Sequence, residues 1–99
     1  MKMSKICQRL NEKLLVVLAL VEKEAKQIDG FSHLTHTVLF DCFPGSLLVL
    51  CHFSDEQKLL NAQNSNIETK LQKQLSKMLF KKGILLKEPK MNLKLQGPV

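Results

Sequence analysis

Leu14-Leu-Val-Val-Leu-Ala-Leu-Val21 is a run of eight consecutive apolar residues, the feature that most limits what these 99 residues can fold into. It is too short to cross a bilayer, for which about 20 apolar residues are needed. Lys2, Lys5 and Arg9 precede it as in a secretory leader, yet Glu22-Lys-Glu-Ala-Lys26 follows, with no Ala-x-Ala type of cleavage site. The expectation is a folded cytoplasmic protein. Ile6, Leu10, Leu14, Val17, Val21, Ala25 and Ile28 recur at three- and four-residue steps, which predicts a helix over about Ser4 to Ile28. Ser4 is placed to cap its start, and Gly30 punctuates its end. Leu15, Val16, Leu18 and Leu20 occupy the remaining faces, so this helix is apolar nearly all round. Such a helix is buried on more than one side. A small sheet covers one side, which leaves another for a partner chain.

Leu34 to Phe43 and Leu47 to Phe53 are rich in Val, Phe, Thr and Leu and flank Pro44-Gly45. This reads as a β-hairpin with Pro-Gly at the centre of a type II turn. Pairing Phe43 with Ser46 sets Val38 opposite Cys51, Leu39 opposite Leu50 and Phe40 opposite Val49. One face then carries Leu34, His36, Val38, Phe40, Val49, Cys51 and Phe53. The other carries Thr35, Thr37, Leu39, Asp41, Leu48, Leu50 and His52.

Ser54-Asp-Glu-Gln57 is a capping-box pattern opening a short helix through about Gln63, and Ser65-Asn-Ile-Glu68 is a second one. The second opens a longer helix that ends at Lys82-Gly83, its apolar face made by Ile67, Leu71, Leu75, Met78 and Leu79. Ile84-Leu-Leu86 reads as a strand and Met91 to Leu95 as a further piece, with Pro89 marking an edge or a bulge. The order is α-β-β-α-(α)-β. It predicts one α+β domain over 1–99, a small three-stranded, mostly antiparallel sheet with helices packed on one face.

Charge is uneven along the chain. Fifteen Lys+Arg against nine Asp+Glu give +6, and most of the excess falls after residue 57. Lys70, Lys73, Lys77 and Lys81 follow at steps of three and four on the second long helix and form one stripe, with Lys82, Lys87 and Lys90 next in the chain. The stripe lies roughly 130° around the helix from the apolar face. It reads either as a solvated surface or as a contact for the phosphates of RNA or DNA. With one Arg in the chain, bidentate reading of base edges is poorly provided for, so binding would be weakly specific and sensitive to salt. Trp and Tyr are absent, which leaves Phe as the platform for base stacking.

Chemistry finds little purchase. Cys7, Cys42 and Cys51 are an odd number without C-x-x-C spacing, which fits thiols in a reducing compartment. His33, His36, Cys42, Cys51 and His52 match no zinc spacing, and the hairpin sets His36 and His52 on opposite faces. Mid-strand thiols are usually inert packing residues, no Gly-rich phosphate loop is present, and Asp55-Glu56 is explained by a helix N-terminus. The expectation is a protein that is not an enzyme and holds no metal or other cofactor. A further feature is the sheet face centred on Leu39, Leu48 and Leu50. Either a partner or second copy covers it, or the segment after Pro89 folds over it.

Gly30-Phe-Ser-His-Leu-Thr-His36 followed by Phe43-Pro-Gly-Ser-Leu-Leu-Val-Leu-Cys-His-Phe53 resembles a family of small proteobacterial proteins. Its pattern is Gly-Phe-x-x-Leu-Thr-His, then Phe-Pro-x-Ser-Leu-x-Val-x-Cys-x-Phe. Some of its members carry a Fis-type regulator label, but the chain after Gly83 reads as strand rather than as a helix-turn-helix. The resemblance brings no functional residues with it. In element order the chain also resembles KH-related folds such as that of ribosome-binding factor A, which implies RNA or ribosome association. The Gly-x-x-Gly loop of KH domains is replaced here by Asn61 to Asn66. Together these expectations describe a small basic domain that binds nucleic acid weakly through phosphates. The alternative is a protein-interaction module or homodimer using Leu39, Leu48 and Leu50, or the back of the first helix.

Overall fold

The computed structural model describes residues 5–39 and 43–98. Its elements are α1 (Lys5–Ala25), β1 (Phe31–Thr37), β2 (Leu48–Phe53), α2 (Glu56–Asn64), α3 (Ile67–Lys81), α4 (Pro89–Asn92) and β3 (Leu93–Gln96). The sheet order is β1-β2-β3. The α+β class and the helices on one sheet face are as the periodicity predicts. The sheet is evenly mixed: β1 pairs antiparallel with β2, and β3 joins β2 in parallel.

α1 buries Leu14, Val17, Leu18, Val21 and Ala25, and α3 buries Leu71, Leu75 and Leu79. Both stripes face Val49, Cys51, Phe53, Leu93 and Leu95 of the sheet, all of them buried in the same core cluster. Ile6 at the start of α1 stays in solvent, and the predicted cap Ser4 lies outside the described residues. α1 stops at Ala25, three residues short of Ile28, and a turn leads to Gly30 at φ +88°. The side chain of Lys58 lies over that glycine and pairs with Asp29.

The hairpin register differs from the expected one. Leu34, not Val38, meets Cys51, and His36, not Phe40, meets Val49. The reason is the connection. Pro44 does not sit at the centre of a tight type II turn: its carbonyl accepts from Leu47 N–H at 3.1 Å, and the Phe43-Pro44 peptide is cis. The Ser46 hydroxyl clasps Leu39, donating to its carbonyl at 2.6 Å and accepting its N–H at 2.9 Å. The displacement is an even number of residues, so the paired residues of β1 and β2 keep their predicted faces. Phe40, Asp41 and Cys42 lie outside the described residues.

Both capping boxes are used differently from their patterns. Asp55, not Ser54, caps α2, its Oδ1 accepting from Gln57 and Lys58 N–H at 2.7 and 3.2 Å. Ser54 is occupied with Gly30, donating its N–H to that carbonyl at 2.9 Å and its hydroxyl at 3.3 Å. At α3 the residue before the helix is Asn66, left-handed at φ 60° with no side-chain cap, and Glu68 Oε2 instead accepts from Leu95 N–H at 3.1 Å. A long-range partner for the carboxylate has outcompeted the local one.

After Gly83 the predicted strand Ile84–Leu86 is absent. Gly83 closes α3 in a Schellman arrangement, Ile84 N–H donating to Leu79 O and Gly83 N–H to Phe80 O, both at 2.9 Å. Ile84 and Leu86 are buried as loop residues. Pro89 opens the one-turn helix α4 rather than marking a strand edge. The other expected piece, Met91 to Leu95, supplies the strand instead, as β3 over Leu93–Gln96. Two buried amides fasten this last segment: Gln72 Nε2 donates to Leu93 O at 2.9 Å, and Asn92 Nδ2 to Leu47 O at 2.7 Å.

Candidate functional site

α3 carries a single acid, Glu68, and the bond to Leu95 turns it toward the sheet. The outward side of the helix is left to Lys70, Lys73, Lys77 and Lys81, all exposed, and these four lie along one face as the spacing predicts. Among the described residues the ion pair is Lys58–Asp29, so none of the stripe lysines is neutralised by a carboxylate there. Repulsion between lysines at such steps is mild, a few tenths of a kcal/mol per pair in helices, and an anion would relieve it.

The other candidate lysines join the stripe unequally. Lys82 sits at its C-terminal end as the residue after α3. There Lys13 of α1, which the spacing argument passed over, brings its Nζ to 3.4 Å from Lys82 O. Lys87 and Lys90 are exposed, and Lys87 lines a cleft with Phe43, Pro44 and Asn92. The Lys90 carbonyl lies 3.5 Å from Gln72 Nε2, on a flank of α3 about 100° or more from every stripe lysine on the helical wheel. Phe80, one turn beyond Lys77 and two beyond Lys73, is 66% exposed. It is an aromatic ring standing among cations, and its place opposite the apolar stripe, on the lysine side of the helix, was the signal for it in the sequence.

The second candidate surface is the sheet face away from the helices. Leu48 and Leu50 are half-buried there between Thr37 and Thr35 of β1, with Lys94 beside Leu50 on β3. Leu39 follows beyond β1 and is 68% exposed. The segment after Pro89 does not fold over this face, because it extends the sheet sideways as β3. His33 and His52 stack on it, ring centres 4.4 Å apart and nearly parallel, and Thr35 Oγ1 hydrogen-bonds His52 Nε2 at 2.7 Å. Partial burial, and secondarily the nearby His33, holds the His52 pKa below the ordinary histidine value of 6.5. The pairing was hidden in the sequence because it depends on the displaced hairpin register, which sets His33 opposite His52 in line with Leu34 opposite Cys51.

Cys51 faces the core, and burial, with a smaller contribution from Glu68, pushes its thiol up to about 12. It is therefore a packing residue, not a nucleophile. No three His, Cys, Asp or Glu side chains gather as a metal site among the described residues. No helix there is long and apolar enough to cross a membrane.

Comparison with protein-family models, with curated proteins and with solved structures finds no match to this chain.

Proposed function

We propose that this is a non-catalytic, cytoplasmic protein that binds the phosphate backbone of RNA or DNA through α3. The observation that carries the reading is the outward face of α3: four exposed lysines, none paired with a carboxylate among the described residues. Lys82 and Lys13 extend it at one end, and Phe80 offers an aromatic face among the cations on which an unstacked base can lie. Lys87 and Lys90 stand off the stripe and serve as secondary contacts to a long polyanion. Ammonium groups meet phosphates as point charges, so the contact carries little sequence preference.

Anisotropy of labelled single-stranded RNA and duplex DNA at two salt concentrations tests this. Four phosphate contacts predict that affinity for duplex DNA falls about fifty-fold between 100 and 300 mM salt, and for single strands about twenty-fold. Lys73→Glu with Lys77→Glu should abolish binding while the circular dichroism spectrum and melting temperature stay close to those of the parent. Absence of binding at low salt, or binding that survives both reversals, would remove the stripe from consideration.

A further inference from the structure

The solvent side of α1 is apolar where a surface helix is normally polar. Leu15, Val16 and Leu20 are 48%, 50% and 46% exposed, and Ala19 lies exposed between them. Glu12 precedes this patch and Lys23 follows it, both exposed. Glu12, Val16, Ala19 and Lys23 are separated by four, three and four residues, the spacing that keeps side chains along one seam between paired helices. Leu15 and Leu20 flank the seam on its two sides.

The seam is complementary to its own reverse. About a point between Val17 and Leu18, Glu12 is matched by Lys23, Leu15 by Leu20, and Val16 by Ala19. A two-fold axis across α1 at that point lays a second α1 antiparallel on the first. It places Glu12 of each copy level with Lys23 of the other, and the larger Val16 against the small Ala19. A parallel pairing would set Glu12 on Glu12 and Lys23 on Lys23.

We infer that the outward face of α1 is a homodimer interface, occupied by a second copy of this chain in antiparallel orientation. Two turns of apolar helix closed by two ion pairs form a small contact, below the roughly 1,200 Å² of standard interfaces, so the dimer exchanges readily. The inference is independent of the phosphate-binding proposal, which rests on the lysine face of α3.

Sedimentation equilibrium of the full chain across micromolar to millimolar concentrations is the test. The parent should show a reversible monomer–dimer equilibrium. Glu12→Lys alone and Lys23→Glu alone should each weaken it by about tenfold, because each sets like charges level at both ends of the seam. Mixing the two single variants should restore association as a heterodimer, and so should the double variant carrying both changes. These positions are exposed, so folding is preserved and circular dichroism checks it. A chain that stays monomeric throughout would overturn the inference. So would a dimer indifferent to the reversals, or reversals that the mixture fails to rescue.

Discussion

Gly30 and Gly83 hold nearly the same backbone, φ +88° and +84°, yet they answer to different constraints. A Cβ at Gly83 would meet nothing, whereas one at Gly30 would run into the Cβ of Lys58, close to the backbone of α2 where little can yield. Gly83→Ala should therefore cost about 1 kcal/mol, the penalty for a left-handed residue alone, and Gly30→Ala clearly more, about 2 kcal/mol or above, in urea unfolding. At Cys51 the thiol pushed up to about 12 is essentially never a thiolate at pH 8. Alkylation followed by peptide mapping should leave Cys51 unmodified in the folded protein and label it in urea. Because its folded pKa lies above the unfolded value, the stability it contributes is complete below pH 9 and fades as pH rises beyond that. His52 has the opposite displacement for a base: its folded pKa is lowered, so its contribution is complete above pH 6.5 and fades as pH falls below it. In an NMR titration His52 should titrate below 6.5. His33→Asn should move it only part of the way back, since burial is the larger cause.

The helices were legible in the sequence because their signal is periodic and local. The Leu71, Leu75 and Leu79 stripe and the opposed lysines of α3 follow from spacing alone, and α3 folds as that spacing requires. What was not legible depends on a partner distant in the chain. Glu68 leaves its capping box for Leu95, Ser54 leaves its own for Gly30, and Ile84–Leu86 gives up the strand to Leu93–Gln96. The β1–β2 register turned on Ser46 holding Leu39, a contact no propensity reports. Asn92 shows what such contacts are worth. Its amide donates to Leu47 O and, at 3.2 Å, to Pro44 O, tying α4 to the turn before β2. Asn92→Ala leaves a buried carbonyl without that donor and should cost about 1–3 kcal/mol in thermal or denaturant unfolding. Lys73→Glu with Lys77→Glu, on exposed positions of the neighbouring helix, should stay within about 0.5 kcal/mol of the parent. Stability and the proposed binding to a polyanion should therefore separate between two elements that touch.

For the molecule as a whole, sheet and helix layer are joined by one core, and the final strand belongs to it fully: Leu93 and Leu95 are buried with α3 above and β2 beside them. That arrangement has a consequence whenever β3 is undocked. Without β3 the sheet keeps two strands, β1 and β2. The edge of β2 that β3 covers is then open, and the side-chain amide of Gln72 has lost the Leu93 carbonyl. An unpaired central edge is a template for any extended peptide nearby. Leu93–Gln96 thus close the sheet, and while they are undocked the β2 edge is a vacancy that an extended strand from another copy can fill.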